Sequence, residues 1–226
     1  MNIKAILFDH DGTIVDSELA HFEMWRDILC KYDIQLTQEE YTSHYAGIPT
    51  TTNAITIVNN YSLSAEPLEL VLAKTEFTNQ YLSRQAFPLM SGALEAVCYF
   101  YEQGLKIGIV TGAGKEGVNT TLKNHKFDKY VSVVVSGDDV KNSKPAPDCY
   151  LLAAEKLGLH PSECLAIEDT YNGSTSAFQA NIKCIGVSSS SRMRKLFDET
   201  IYTCNNLDMA TQWISRNCQL ISNIKG

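Results

Sequence analysis

Lys4-Ala5-Ile6-Leu7-Phe8-Asp9-His10-Asp11-Gly12-Thr13, near the start of the 226-residue chain, sets two carboxylates one residue apart at the end of an apolar run. The run does not alternate polar with apolar residues, which is the pattern of a strand covered on both faces, as in a parallel sheet. The glycine that follows marks a tight turn. Paired acids at a strand end suit phosphate chemistry: they can hold Mg²⁺, attack phosphorus and move a proton. A phosphate ester resists nucleophiles until its charge is neutralised.

Working outward, similar runs predict strands at Ile3–Phe8, Lys106–Val110, Val131–Val135, Cys164–Ile167 and Lys183–Val187, with a weaker one at Thr200–Cys204. Helical patterns lie between them. Ser91–Gln103 is stopped by Gly104, and Lys115–His125 follows the next strand. Pro147–Leu157 has proline in its first turn and Gly158 at its end, and Asn172–Ala180 is closed by Asn181. Strand–helix alternation predicts an α/β class: a doubly wound, mostly parallel, Rossmann-like sheet. Residues 15–86 break the pattern and contain no convincing strand. Leu19, Phe22, Trp25, Ile28, Leu29 and Tyr32 recur at helical spacing, and Thr37-Gln38-Glu39-Glu40 reads as a capping box. Glu66-Pro67 opens a third, longer helix with Leu70, Val71, Phe77 and Tyr81 on its apolar side. The expected division is a core of residues 1–14 and 87–226 around an all-helical insert, 15–86. Residues 219–226 are expected to fray.

Composition narrows the partners. The 26 acids exceed the 19 bases, and no basic block offsets the net charge of −7, which argues against nucleic acid and anionic membrane surfaces. No uncharged stretch reaches the roughly 18–20 residues that span a bilayer, and no secretion signal precedes Asp9. The seven cysteines are odd in number, dispersed and never in a Cys-x-x-Cys pair, so they read as reduced thiols rather than a disulfide frame or zinc site. A cytoplasmic protein is expected, monomeric by default.

Four strand ends carry polar residues of distinct chemistry: Asp9 and Asp11, Thr111-Gly112, Lys144-Pro145 after a loop, and Glu168-Asp169. In open α/β sheets, ligands bind in the crevice beyond the carboxyl ends of the strands, so these residues can converge. In this order they resemble the haloacid dehalogenase superfamily, over almost the whole chain. The resemblance implies that Asp9 is a nucleophile forming an aspartyl phosphate, and that Asp11 is general acid for the departing alcohol and then general base for water. It implies phosphate binding by Thr111, Gly112 and Lys144. It also implies a Mg²⁺ site built from Asp9, the Asp11 main-chain carbonyl, Asp169 and Glu168.

The same resemblance bears on the branch. Retention of the second acid, Asp11, points to phosphate esters rather than halides or phosphonates. The helical insert stands where the family carries an α-helical cap. Tyr45-Ala46-Gly47-Ile48-Pro49-Thr50-Thr51 resembles the cap loop that reaches toward substrate, making Gly47, Ile48 and Thr50 candidate contacts, and His21 matches a cap-helix histidine. β-Phosphoglucomutase is the nearest rival. A lysine and an arginine flank its cap-loop glycine, whereas Ala46 and Thr50 stand here. Its Ser-Lys-Asn group is replaced by Ala113-Gly114-Lys115, with one shifted lysine. The expected function is hydrolysis of a small phosphorylated metabolite, a sugar phosphate first, with a phosphomutase or a non-catalytic phosphate-binding module as alternatives. His10 departs from the usual apolar middle residue, and an extended backbone would point its side chain away from both aspartates.

Overall fold

A computed structural model describes residues 1–223. The chain opens with β1 (Asn2–Ile3) and β2 (Ala5–Phe8) and then runs through α1 (Glu18–Cys30), α2 (Gln38–His44), α3 (Thr50–Tyr61) and α4 (Pro67–Arg84). From there strands and helices alternate: α5 (Ala93–Glu102), β3 (Lys106–Val110), α6 (Lys115–His125), β4 (Val131–Val135), α7 (Asp148–Leu157), β5 (Cys164–Glu168), α8 (Tyr171–Gln179) and β6 (Lys183–Val187). The described chain closes with α9 (Ser191–Arg194), β7 (Tyr202–Cys204), α10 (Leu207–Asn217) and β8 (Gln219–Leu220).

Two compact units result, Met1–Asp16 with Pro88–Gly226, and Ser17–Phe87. In the first, six strands form one all-parallel sheet in the order β4-β3-β2-β5-β6-β7. Strand β2 lies at its centre, and Phe8 sits opposite Ile109 on one side and Ile167 on the other. All four β2 residues are buried, as its unbroken apolar run requires. Ala5 and Leu7 pack with Tyr150, Ala153 and Ala177 under α7 and α8. Phe8 meets Phe100 of α5 from the opposite face, with ring centroids 6.3 Å apart. The sheet is therefore wound on both sides, and the strand order reverses about β2.

Two expectations about the ends change. The first strand is split at Lys4, whose N–H leaves the run to donate to Glu163 O at 2.8 Å. Asn2–Ile3 instead pair in parallel with Gln219–Leu220. The segment expected to fray is therefore tied down through Asn223, which donates from its main chain to Gly104 O at 2.8 Å and from Nδ2 to Lys4 O at 2.7 Å. Residues 224–226 lie outside the described residues.

The helical unit has its own core, built on Phe22, Trp25, Ile28, Tyr41, Ile57 and Leu70. Thr37 caps α2 by accepting from Glu40 N at 3.2 Å, and Glu66 with Glu69 forms a capping box on α4. Leu19, read as part of the apolar stripe of α1, is exposed. Thr50 and Thr51, read as the end of a loop, are the first turn of α3. Their helix was hard to read because Thr50, Thr51, Thr52, Ile55, Thr56, Ile57 and Val58 are all β-branched, and tertiary packing overrides their weak helix propensity. No helix of the described residues is long and apolar enough to cross a membrane.

Candidate active site

The carboxyl ends of β2, β3 and β5 meet at the point where strand order reverses, and the polar residues read from the sequence stand there. Asp9 follows β2 directly, its N–H donating to Ile167 O at 2.9 Å so that the ladder with β5 extends one residue beyond the strand. Gly12 turns the chain back with φ +83°, and its N–H donates to Val15 O at 2.8 Å. A Cβ at Gly12 would stand 2.0 Å from Asp169 Oδ2, so the glycine is required both by its backbone and by its neighbour.

Lys144 is the centre of the constellation. Its Nζ donates to Asp9 Oδ1 at 2.6 Å, to Glu168 Oε1 at 2.6 Å and to Val110 O at 2.8 Å, which uses all three ammonium protons. Tyr150 of α7 donates its hydroxyl to the same Glu168 oxygen at 2.7 Å, and its ring centroid lies 5.1 Å from Lys144 Nζ. Glu168 is fully buried and is packed so closely against α8 that a Cβ at Gly173 would lie 1.9 Å from Oε2.

Charge in this pocket is unbalanced. Burial, then the Glu168 carboxylate, pushes the Asp9 carboxyl well above its ordinary range, and Lys144 offsets this only in part. Burial also works against the Lys144 charge, but Asp9 and Glu168 together outweigh it and hold the ammonium above the usual lysine range. Asp9, Glu168 and Asp169 each bring a carboxylate oxygen within 4.8 Å of the others. Three hard oxygen donors this close to one another, with two of them sharing one lysine, fit a divalent cation such as Mg²⁺ on donor type and on charge.

Thr111 continues β3 by donating its N–H to Val135 O at 2.9 Å. Its hydroxyl accepts from Ala113 N at 3.0 Å and lies 3.5 Å from Asp11 Oδ2. Gly112 sits beside Lys144: Ser143 donates its hydroxyl to Gly112 O at 3.0 Å, and a Cβ at Gly112 would be 3.7 Å from Lys144 Cβ. The shifted lysine, Lys115, reaches Asp139 at 3.5 Å.

The remaining candidates belong to the helical unit. His21 lies on α1 with Nδ1 3.0 Å from the Nζ of Lys74, a buried lysine of α4. Gly47, at φ +70°, donates its N–H to Glu18 Oε1 at 3.2 Å, which ties the α2–α3 loop to the start of α1; Ile48 is exposed and Thr50 opens α3.

Sequence reasoning missed Tyr150, Ser143, Lys74 and the surroundings of His10. The rule that predicted His10 to point away fails because β2 ends at Phe8. The chain then turns, with Ile14 and Val15 both donating N–H to His10 O at 2.9 Å. The imidazole Nδ1 lies 3.2 Å from Asp11 Oδ2, and Nε2 lies 2.9 Å from Thr121 Oγ1.

Known proteins resemble this chain in sequence and in fold. The sequence pattern of the haloacid dehalogenase-like hydrolases matches residues 6–187. The fructose-1-phosphate phosphatase YqaB of Escherichia coli is 30% identical over 80% of this chain and 95% of its own. A phosphorylated carbohydrates phosphatase of Thermotoga maritima is 26% identical over 81% of this chain and 84% of its own. In fold, the β-phosphoglucomutase of Clostridium difficile superposes with a TM-score of 0.77 over 95% of this chain and 96% of its own, at 22% identity. The span of the family match and the identity to the Escherichia coli protein establish that this chain belongs to the haloacid dehalogenase-like hydrolases.

Proposed function

We propose that the protein is a Mg²⁺-dependent phosphatase of small phosphorylated metabolites, with a sugar phosphate as its first substrate class. The observation that carries the reading is the buried Lys144–Asp9 contact at 2.6 Å, at the end of the central strand and one residue from a second acid. Lys144 orients Asp9 and helps keep it ionised. Asp9 attacks phosphorus, and the ester P–O bond breaks while the Asp11 carboxyl gives its proton to the departing alkoxide. Asp11, now a carboxylate, takes a proton from water; that water attacks the phosphorus, and the Asp9–phosphorus bond breaks to release inorganic phosphate. Both aspartates return to their starting states. Thr111 Oγ1 and the Gly112 N–H are assigned to the phosphoryl oxygens. Asp9, Asp169, Glu168 and the Asp11 carbonyl are the proposed Mg²⁺ ligands, and the ion would neutralise phosphoryl charge.

The helical unit is proposed to select the substrate, with His21, Gly47, Ile48 and Thr50 as its first candidates for mutation. The names of the Escherichia coli and Thermotoga relatives support a phosphorylated sugar. The dispersed thiols support a reducing, cytoplasmic setting.

Phosphate release from a panel of sugar phosphates, phosphoglycolate and nucleotide monophosphates, with Mg²⁺ and with EDTA, tests the reading. Metal-dependent release from one or a few members is expected, and Asp9→Asn should abolish it with the melting transition retained. Interconversion of hexose 1- and 6-phosphates on addition of bisphosphate, without release, would make the protein a mutase. Silence in both assays would leave a binding module.

A further inference from the structure

We propose that His10 is a positioning residue for Asp11: its imidazole, braced by Thr121, holds the Asp11 carboxylate in one orientation for acid–base work. The inference rests on the reading of Asp11 as general acid and base. His10 is 1% exposed, and both of its ring nitrogens have partners, so the ring plane is fixed from two sides. On one side is Asp11 Oδ2 at 3.2 Å; on the other is Thr121 Oγ1 at 2.9 Å, on a residue of α6 that is itself fully buried. One turn earlier on α6, a Cβ at Gly117 would touch His10 Cε1 at 3.5 Å, so the ring rests against the helix.

The donor pattern follows from chemistry. Whether Asp11 is ionised or carries its proton on Oδ1, its Oδ2 is an acceptor, so Nδ1 donates to it in both states. In a neutral imidazole Nε2 is then the acceptor, and the Thr121 hydroxyl is the group placed to donate to it. Thr121 thereby selects the tautomer that serves Asp11. Thr111 Oγ1 stands 3.5 Å from the same Asp11 oxygen, so Oδ2 lies between two polar groups of the core. An apolar residue at position 10 could fill the space under α6, but it would remove the Nδ1 donor and leave the Thr121 hydroxyl buried without this partner.

The test separates positioning from packing by leaving group. Values of kcat/KM, which report the steps through phosphoenzyme formation, are measured with the best sugar phosphate of the panel and with p-nitrophenyl phosphate. The aryl ester leaves with little need of a proton; the sugar ester does not. General acid catalysis contributes on the order of 10²–10⁴-fold, and His10→Leu is expected to forfeit roughly tenfold of it on the sugar phosphate, against less than about threefold on the aryl ester. His10→Asn keeps a donor near the Nδ1 position and should recover most of the loss. Thr121→Val, nearly isosteric, should shift the ratio in the same direction by less, and it carries the test if His10→Leu does not fold. Equal losses on both esters, or no recovery in His10→Asn, overturn the inference. Asp11→Asn is the reference: it should show the same leaving-group bias, larger. An unbiased loss in Asp11→Asn would instead strike the acid–base reading itself, and this inference with it.

Discussion

Lys144 holds two buried carboxylates with a single ammonium, so its removal is felt in stability as well as in turnover. Lys144→Met should abolish phosphate release and, at pH 7.5, cost about 3–5 kcal/mol in denaturant unfolding, because two acids are left near each other without a counter-charge. The penalty should shrink at pH 5, where Asp9 takes up a proton. The pH dependence of the metal-free protein has a definite sign. The Asp9 carboxyl is pushed up to about 7 from 3.8, so the native state binds this proton more tightly than the unfolded chain does. Its contribution to stability is complete below pH 4 and is lost as pH rises through about 7. Mg²⁺ needs the ionised form and relieves the same crowding. The rise in Tm on adding Mg²⁺ should therefore be larger at pH 8 than at pH 5.5, and an equal or reversed effect would count against Asp9 as a ligand. The acids at strand ends were legible in the sequence because each follows an apolar run, whereas Lys144, beyond a loop after β4, was legible only through the order of the motifs. The Thr121–His10–Asp11 chain was not, since the alternation that predicts side-chain direction holds only while the strand lasts. Tyr150 carried no signal of its own, since an aromatic on a helix face reads as core.

At the level of elements, the sheet strands were readable because each is a short, continuous apolar run with polar residues beyond its carboxyl end. Helices α3, α9 and α10 and strand β8 were not. Helix α3 is built on β-branched residues whose preference runs the other way. Strand β8 has only two residues, too few for any periodicity, and its existence depends on β1 being in reach. That pairing gives a direct prediction. Deleting residues 219–226 removes the donors from Gln219 N to Met1 O, from Ile221 N to Ile3 O, and from Asn223 to Gly104 O and Lys4 O. At about 0.5–1.5 kcal/mol each, these four bonds amount to roughly 2–6 kcal/mol in urea unfolding. A truncated protein as stable as the full chain would mean that the tail is energetically silent.

Across the whole molecule, the cysteines report how completely the core is closed. Cys30 is exposed and Cys98 and Cys218 are half-buried, whereas Cys149, Cys164, Cys184 and Cys204 are buried. Burial pushes the Cys164 thiol up to about 12 and the Cys204 thiol to about 11, and raises Cys149 and Cys184 as well. Iodoacetamide at pH 8 should therefore modify Cys30 first and leave the four buried thiols intact until denaturant is added, as read by mass spectrometry. The insertion of Ser17–Phe87 has a further consequence. Its two crossings run side by side, with Asp16 N–H donating to Pro88 O at 2.8 Å and Val15 bridged antiparallel to Leu89. Strands β2 and β3 are thus neighbours in the sheet although the whole helical unit lies between them in sequence. Helical contacts are local and form fast, while joining distant strands waits on loop closure. During folding, early condensation of Ser17–Phe87 would turn a long search into a short one, because the strands would then be separated by a compact bead rather than a slack tether. Pulse-labelled hydrogen exchange should find amides of α1 and α4 protected before those that join β2 to β3.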